Sequence, residues 1–503
     1  MSRVTDQLLL GVDIGTSSSK GVLTSTSGTV LARVTRPHPT SNPHPGWYEH
    51  DAEAIWWADF LQIVRELVAA AEGREIAGLA VSGIGPVLLP ADADGRPLRE
   101  AILYGVDMRA TQEIVELTEE FGAEAILARG GTPLSSQAVG PKWRWLAKHE
   151  PRIYEQTELF LMASSFLVFR LTGEYVLDHH SASQCDPMYD LRRQEWATDW
   201  AKRVAPGIDL PRLAWSNEVV GHVTARAAEL TGLPVGLPVT AGTVDAWAEA
   251  ASVGVTDPGD TMVMYGTTMF LVQVLSDPTP HAGLWSTRGT LPGTYTLAAG
   301  MATSGALTNW IRELVDGEFA DLVAGAAAVP PGSRGLLLLP YFAGERTPIF
   351  DPSARGVIAG LTTGHGVFEL YRAALEGIAH GVRHNLEAMH EAGGIVRRLV
   401  AVGGGTQGDL WTQIVTDVTG VEQQIPVDTI GAALGDALFA GLAVGAVSPD
   451  VAGEWNPVAR TIRPDAQRHR EYSEYYDMYR KLYPATTEVT HFLAARQHSA
   501  DTG

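Results

Sequence analysis

The stretch LLLGVDIGTSSSKGVL (residues 8–23) decides the fold of this sequence. Its first apolar run predicts a buried strand that ends beside the carboxylate of Asp13. Gly15 and the four hydroxyl residues after it predict a tight turn before the apolar pattern resumes. The turn permits two interpretations. It is an ordinary polar hairpin turn, or it is a phosphate cradle whose N–H groups and hydroxyls bind phosphate oxygens while Asp13 holds Mg²⁺.

The composition limits the classes of protein to which this chain can belong. Its 503 residues predict two domains of about 250 residues each. The alternation of strand and helix patterns predicts an α/β fold. A net charge of −21 argues against nucleic acid or an anionic membrane as a partner, and no apolar run is long enough to predict a membrane span. A single cysteine, Cys185, excludes an intrachain disulfide and fits a cytoplasmic location.

A second predicted hairpin, in the middle of the chain, has the same sequence pattern as the first. The stretch DPGDTMVMYGTTMFLVQVLS (residues 257–276) contains an apolar strand, a turn with Gly266 and Thr267, and another apolar strand. Two Gly-Thr hairpins half a chain apart predict two domains of related design. Because Gly, Pro and Asp cluster near residues 254–259, we predict domains at 1–253 and 254–503.

A third glycine-rich turn follows the predicted strand in RRLVAVGGGTQGDLW (residues 397–411). Gly403, Gly405 and Gly408 form the pattern G-x-G-x-x-G, which is typical of dinucleotide-binding turns. An NAD-dependent oxidoreductase is therefore one candidate, although that reading leaves both Gly-Thr hairpins and Asp13 unexplained. A close strand-to-helix connection without a ligand is the other interpretation.

Asp245 lies at the junction of a predicted strand and helix in AGTVDAWAEAA (residues 241–251). An aspartate here is compatible with a helix N-cap. It is also compatible with a general base, because phosphorylating a hydroxyl requires a group that accepts its proton. The sequence pattern alone leaves both roles open.

Several ordered motifs together resemble the FGGY family of carbohydrate kinases, and within it the xylulokinase-like members of the sugar kinase, hexokinase and actin superfamily. The motifs are DIGTSSSK (13–20), GTTM (266–269), SGALTNW (304–310), GERTP (344–348), GVIAGLTTGHGVFELYRAALE (356–376) and VGGGTQGDLW (402–411). The resemblance implies two α/β domains of ribonuclease H-like, actin/hexokinase-type architecture with the active site in the interdomain cleft. It also implies ATP and Mg²⁺ as cofactors, and a homodimer is compatible with it.

The resemblance assigns roles to individual positions. Asp245 is expected to be the catalytic base, and Asp13 and Asp245 are expected to hold Mg²⁺. The positions expected to bind ATP are Thr16, Ser17, Ser18, Gly266, Thr267, Gly305, Asn309, Gly404, Gly405 and Gly408. The positions expected to bind the sugar are Gly85, Pro86, Asp107, Arg109 and Asp245.

One departure from the family concerns the substrate. Gly85 and Pro86 stand where xylulokinases carry a Met-His pair, so a histidine donor to sugar hydroxyls is missing. The resemblance implies an ATP-dependent kinase of a small sugar, D-xylulose or a related ketopentose. Another polyol or sugar acid, of the erythritol, ribulose or gluconate class, is the alternative substrate. An NAD-dependent oxidoreductase and an actin-like nucleotide-binding assembly protein are the competing functions.

Overall fold

The apolar run at the start of the sequence forms the strand β1 (Leu8–Ile14), in which every residue is buried. It pairs antiparallel with β2 (Ser18–Ser25), so the turn at Gly15 closes a hairpin at one end of a sheet. The structure, a computed structural model, describes residues 7–501, without the side chains of residues 450–452 and 498–501.

The remaining elements alternate between short strands and helices. The further strands are β3 (Val30–Pro37), β4 (Glu49–His50), β5 (Ile76–Gly83), β6 (Leu89–Ala91), β7 (Ala101–Ile102), β8 (Leu159–Leu161), β9 (Val176–Asp178), β10 (Tyr189–Asp190), β11 (Glu195–Trp196), β12 (Arg212–Ala214), β13 (Val219–His222), β14 (Pro238–Thr240), β15 (Thr243–Val244), β16 (Asp260–Tyr265), β17 (Met269–Leu275), β18 (Trp285–Arg288), β19 (Tyr295–Met301), β20 (Leu337–Leu339), β21 (Val357–Ala359), β22 (Arg398–Val402), β23 (Gln423–Pro426) and β24 (Val458–Ile462). The helices are α1 (Ala58–Ala70), α2 (Thr111–Phe121), α3 (Ala123–Gly130), α4 (Val139–His149), α5 (Pro151–Gln156), α6 (Ala163–Thr172), α7 (His179–Ala182), α8 (Thr198–Val204), α9 (Ala225–Thr231), α10 (Asp245–Ser252), α11 (Gly305–Leu314), α12 (Phe319–Ala327), α13 (Val367–Glu391), α14 (Asp409–Thr419), α15 (Ala432–Ala443) and α16 (Ala466–Asp501). A π-helical segment, Ala52–Trp57, precedes α1, and 3₁₀ segments lie at Gly404–Gln407 and Pro449–Glu454.

The chain forms two compact units. The first contains the chain up to Pro258 together with Val274–Thr296 and Ile430–Pro457, and the rest of the chain forms the second. The boundary predicted after residue 253 lies near the first of these breaks. The chain then returns to the first unit twice, which the predicted domains 1–253 and 254–503 did not include.

The sheet of the first unit has the strand order β3-β2-β1-β5-β14-β13. The first three strands form antiparallel pairs, whereas β5 lies parallel to β1 and β14 lies parallel to β5. The edge strand β13 is again antiparallel. Because β1 and β5 run in the same direction, Asp13 near the end of β1 lies beside Ser82 near the end of β5. The ends of these two strands position the site described below.

Glycines allow α15 to pack unusually close to this sheet and to α10. A Cβ at Gly11 of β1 would lie 2.0 Å from the carbonyl oxygen of Ala433 on α15. A Cβ at Gly435 of α15 would lie 1.8 Å from the carbonyl oxygen of Ala248 on α10. Backbones approach this closely only where a side chain is absent. The contacts bring the residues at the start of α10 and in the first half of α15 to the end of β1.

The second unit repeats the design of the first. Its strands lie in the order β19-β17-β16-β22-β23-β24. The hairpin β16–β17 is antiparallel, β22 lies parallel to β16, β23 lies parallel to β22, and the edge strand β24 is antiparallel. The two Gly-Thr hairpins therefore occupy equivalent positions in two α/β sheets. This confirms the predicted ribonuclease H-like α/β class with two sheet-containing domains.

Within residues 7–501, none of the helices combines the length and the apolar character that crossing a membrane requires.

Candidate active site

The first Gly-Thr turn closes the β1–β2 hairpin. The N–H of Gly15 donates to the carbonyl of Ser18, with 3.1 Å between N and O. The hydroxyl of Thr16 lies 3.0 Å from the hydroxyl of Tyr104, and the side chain of Ser17 is exposed. The turn therefore presents hydroxyl groups on a short, hydrogen-bonded frame, as the phosphate-cradle interpretation requires.

Buried carboxylates lie beside this turn. The Oγ of Ser82 lies 3.2 Å from Oδ1 of Asp13 and donates over 2.7 Å to Oδ2 of Asp436. Burial raises the pKa of Asp13 to about 6, and the charge of Lys20, its neighbour across the hairpin, opposes that rise. Asp13 is thus held at the end of β1 by residues on both neighbouring strands.

Asp245 is the first residue of α10, and the cap position before it is taken by Val244. The short strand β15 fixes this start, because Thr243 and Val244 pair with Ser82 and Gly83 of β5. Oδ1 of Asp245 accepts from the N–H of Ala246 over 2.7 Å. Burial, and next the charge of Asp13, raise the pKa of Asp245 well above its usual value. The N-cap interpretation is therefore wrong, and the carboxylate faces the same cluster as Asp13.

Two acidic side chains of this cluster were missed in the sequence. Glu249 lies one turn after Asp245 on α10, and burial, with a contribution from Asp13, raises its pKa to about 7. Asp436 is fully buried, and its Oδ1 has no hydrogen-bond partner within the described residues. A charged residue inside the small, apolar helix AALGDALFAGLA is the signal that could have identified Asp436, because aspartate is seldom fully buried without a function or a partner.

The cluster fits a role in holding Mg²⁺. Among the side chains that the structure describes, no three or more His, Cys, Asp or Glu form a ready-made metal site. Mg²⁺, however, usually binds one or two carboxylates and takes its other ligands from water and phosphate. Burial raises the pKa values of Asp13, Asp245 and Asp436, and the charge of Asp13 raises those of the other two further, so a divalent cation would relieve this repulsion. Asp13 and Asp245 are the residues that would hold it.

Gly85 and Pro86, which are predicted to form a wall of the sugar site, lie next to the start of α10. A Cβ at Gly85 would lie 2.7 Å from Cγ2 of Val244, so Gly85 packs against the residue before Asp245. Pro86 is buried. Neither residue carries a side-chain hydrogen-bond donor, and proline also lacks an N–H. The structure thus brings Gly85 and Asp245 together, with an apolar wall between β5 and α10.

Asp107 and Arg109 form a buried ion network. Arg109 donates from Nε and Nη2 to the carboxylate of Asp107 over 2.8–3.1 Å, and from Nη1 to Glu49 over 2.7 Å. Oδ2 of Asp107 also accepts from the N–H of Tyr48. Both side chains are inaccessible to solvent. These contacts fix the loop that carries Tyr104, and a direct contact with sugar stays a prediction.

The second Gly-Thr turn receives the start of α11. The N–H groups of Ser304 and Ala306 donate to the carbonyl of Thr267 over 3.1 Å, and that of Gly305 donates to Gly266 over 3.0 Å. A Cβ at Gly305 would lie 2.6 Å from the carbonyl oxygen of Gly266. Gly305 is therefore needed for close approach. The amide of Asn309 is engaged within its own helix, by Arg312 and Glu313.

The third turn lies between β22 and α14 and contacts the end of β16. A Cβ at Gly405 would lie 2.9 Å from Cβ of Tyr265, the residue before the second turn. Gly404 and Gly408 are exposed, and a Cβ at either would meet no atom within 4 Å. The structure thus brings Gly266, Gly305 and Gly405 together, and it leaves the backbone at Gly404 and Gly408 open to a ligand.

Comparison with known families identifies the chain. The model for the N-terminal domain of the FGGY family of carbohydrate kinases matches residues 8–254, and the model for its C-terminal domain matches residues 261–444. The chain belongs to the FGGY family of carbohydrate kinases. The resemblance seen in the motifs is therefore confirmed, and this FGGY kinase is a phosphotransferase with an alcohol acceptor. The competing interpretations, an NAD-dependent oxidoreductase and an actin-like assembly protein, are wrong.

Relatives of this FGGY kinase match nearly its whole length. A xylulose kinase of Escherichia coli (strain K12) is 30% identical over 491 residues, which cover 95% of this chain and 98% of the relative. A glycerol kinase of Nocardia farcinica (strain IFM 10152) is 32% identical over 481 residues, which cover 88% and 92%. The crystal structure of a xylulose kinase from Rhodospirillum rubrum has a TM-score of 0.90 and 32% identity, covering 96% of this chain and 100% of that one.

Proposed function

We propose that this carbohydrate kinase transfers the γ-phosphoryl group of ATP to a hydroxyl of D-xylulose or of a related ketopentose. Members of the FGGY family use ATP, which fits the three phosphate-type turns. The ketopentose is supported by similarity to proteins named xylulose kinase, at 30% identity for the E. coli protein and 32% for the R. rubrum structure.

The observation that carries the proposal is the position of Asp245. Asp245 is the first residue of α10 and not its N-cap residue, and burial beside Asp13 raises its pKa, which strengthens it as a proton acceptor once it is ionised. In the proposed reaction, the sugar oxygen attacks the γ-phosphorus and forms a new O–P bond. The bond from that phosphorus to the bridging oxygen of ADP breaks, and the hydroxyl proton passes to Asp245.

The turns supply the remaining parts of the proposed site. In the first unit, Thr16, Ser17 and Ser18 would bind the terminal phosphates, and Asp13 with Asp245 would hold Mg²⁺. When bound, that ion would neutralise charge on the transferred group. In the second unit, the nucleotide would meet Gly266, Thr267, Gly305, Asn309, Gly404, Gly405 and Gly408. Of these, the open backbone at Gly404 and Gly408 offers the most room for close approach.

A second substrate class is favoured by the wall at Gly85 and Pro86. Because this wall has no side-chain donor, it cannot select a sugar hydroxyl by hydrogen bonding. The glycerol kinase of N. farcinica, a relative with a polyol in its name, matches this chain at a comparable identity of 32%. We therefore keep polyols and sugar acids, of the erythritol, ribulose and gluconate class, as the alternative. Asp107 and Arg109 would contribute to sugar binding indirectly, because they fix the loop that carries Tyr104.

A substrate panel tests the proposal. ADP release from Mg²⁺·ATP is measured with D-xylulose, D-ribulose, L-ribulose, L-xylulose, erythritol, glycerol and gluconate, and kcat/KM is compared. We expect the highest kcat/KM among the ketopentoses. A preference for a polyol or for gluconate would overturn the ketopentose assignment while leaving the kinase intact.

A further inference from the structure

Three consecutive carbonyl groups of the first phosphate turn are bound from one side by two residues. Nε2 of His38 lies 3.1 Å from the carbonyl oxygen of Gly15. The hydroxyl of Thr40 donates to the carbonyl of Thr16 over 2.9 Å. The backbone N–H of His38 donates to the carbonyl of Ser17 over 3.0 Å. The segment that follows β3 thus satisfies the carbonyls of Gly15, Thr16 and Ser17.

His38 is itself held in place by a carboxylate. Its Nδ1 lies 2.8 Å from Oδ2 of Asp59 on α1, and the hydroxyl of Ser19 donates to the same oxygen over 2.8 Å. Asp59 is buried. Both ring nitrogens face oxygen acceptors, so both carry a proton and donate, and the ion pair with Asp59 orients the ring with Nε2–H toward the carbonyl of Gly15.

Thr40 is held by a second histidine. Nε1–H of Trp56 donates to Nδ1 of His50 over 3.1 Å, so the proton of the His50 ring is on Nε2. That nitrogen lies 3.0 Å from the hydroxyl oxygen of Thr40 and donates to it. The single hydroxyl proton of Thr40 is then directed to the carbonyl of Thr16. The chain of hydrogen bonds therefore has one consistent direction.

Holding the carbonyls on one side determines where the N–H groups point. In a planar trans peptide unit, the N–H points away from the C=O of the preceding residue. The carbonyls of Gly15 and Thr16 face His38 and Thr40, so the N–H groups of Thr16 and Ser17 face the opposite side. Within the described residues, neither of these two N–H groups has a hydrogen-bond partner.

We propose that His38 and Thr40 are the positioning residues of the first phosphate turn. They bind its carbonyls in the absence of nucleotide. Asp59 orients His38, and His50 orients Thr40. The free N–H groups of Thr16 and Ser17 are then preorganised for phosphate oxygens. The inference rests on the proposed function, because it takes ATP phosphates as the ligand of this turn.

The test compares three threonine variants. Thr40→Val keeps the shape of the side chain and removes the hydroxyl, Thr40→Ser restores the hydroxyl, and Thr35→Val is the matched control on the exposed face of β3. We measure kcat/KM for ATP, the KM of the preferred sugar, and Tm without ligands. Thr40→Val should lower kcat/KM for ATP by about 2- to 13-fold, the contribution of one net hydrogen bond. The KM of the sugar should stay unchanged, and Thr40→Ser should recover the loss.

A second variant keeps the proposal testable if Thr40→Val folds poorly. His38→Ala removes the donor to Gly15 and keeps the backbone N–H that binds Ser17, so it should show the same selective loss for ATP. If wild type turns over ATP with sugar, but both variants match Thr35→Val within about twofold, the positioning role is wrong. Equal losses for ATP and sugar would overturn it as well. If wild type has no sugar-dependent ATP turnover, the proposed function fails instead.

Discussion

At the scale of single residues, the first unit gathers carboxylates that are buried or half-buried. Asp13, Asp245 and Asp436 come from β1, α10 and α15. The charge of Asp13 raises the pKa of the other two, and that of Asp245 also raises the pKa of Asp436. An arrangement of like charges is unfavourable for stability by itself. Its retention is typical of a site that handles a proton, a cation or a phosphoryl group.

Asp245→Asn tests the proposed base. The amide has the same size as the carboxylate but cannot accept the hydroxyl proton, so kcat should fall by about 10²–10⁴-fold while Tm stays close to that of wild type. Asp51→Asn is the matched control, because Asp51 caps the Ala52–Trp57 segment and asparagine caps equally well. A near-normal kcat in Asp245→Asn would show that Asp245 is not the catalytic base.

Arg109→Ala distinguishes a structural role of Arg109 from a direct contact with the sugar. The change removes the guanidinium that both oxygens of Asp107 accept from, and losing one partner of a buried ion pair costs about 3–5 kcal/mol. We therefore expect a large fall in Tm. Arg96→Ala breaks an exposed pair with Asp94 and should change Tm little. A stable Arg109→Ala protein with a raised sugar KM would instead show that Arg109 contacts the sugar.

Glu345 gives the stability a pH dependence of known sign. Burial raises its pKa from 4.5 to about 8, although the N–H groups of Ala302 and Arg346 oppose this. The folded protein therefore keeps a proton that the unfolded chain releases, so stability is lost as pH rises through about 8. Glu345→Gln cannot ionise, and its Tm should exceed that of wild type at pH 9, with a smaller difference at pH 5.

The control for this prediction is Glu229→Gln on the exposed surface of α9, which should follow wild type at both pH values. A Tm difference between Glu345→Gln and wild type that is the same at pH 5 and pH 9 would show that Glu345 keeps one charge state across this range.

At the scale of elements, the sequence predicts the features that depend on neighbouring residues. The strand predicted from the apolar run of β1 is present in the structure, because its signal lies in neighbouring residues. The acid at Asp436 could not be placed in the same way. It joins Asp13 only because α15 packs on β1 through Gly11, a contact between residues distant in sequence. Likewise, the buried network of Arg109 depends on Glu49, which lies in strand β4.

The α10–α15 contact is expected to set the geometry of the acidic cluster. Gly435→Ala would place a Cβ 1.8 Å from the carbonyl oxygen of Ala248, so the two helices must separate. Overpacking of this kind costs about 1–3 kcal/mol, and the separation would displace Asp245 and Asp436. We expect both Tm and kcat to fall.

Gly453→Ala is the control for this change, because a Cβ there would meet no atom within 4 Å. If Gly435→Ala keeps wild-type kcat while Tm falls, the spacing of the two helices matters for stability and not for the reaction.

At the scale of the whole molecule, the duplication was visible in the sequence, whereas the path of the chain was not. Two Gly-Thr hairpins predicted two related domains, and the two sheets indeed repeat one strand order. No pattern recognised in the sequence predicted that Val274–Thr296 and Ile430–Pro457 belong to the first unit. A helix pattern shows which face is apolar, and it does not show which sheet will cover that face.

The return of Ile430–Pro457 has a consequence for synthesis on the ribosome. The first unit needs α15, whose Ala433 packs on Gly11 much earlier in the chain, so this unit stays incomplete during the time that synthesis takes to reach α15. Leu9, Val22 and Ala80, which α15 covers, stay unprotected for most of that time. Stalled nascent chains that end at residue 429 should be cleaved readily by protease within the first unit. Chains that have fully emerged beyond residue 457 should resist it, and early resistance would show that the unit folds without α15.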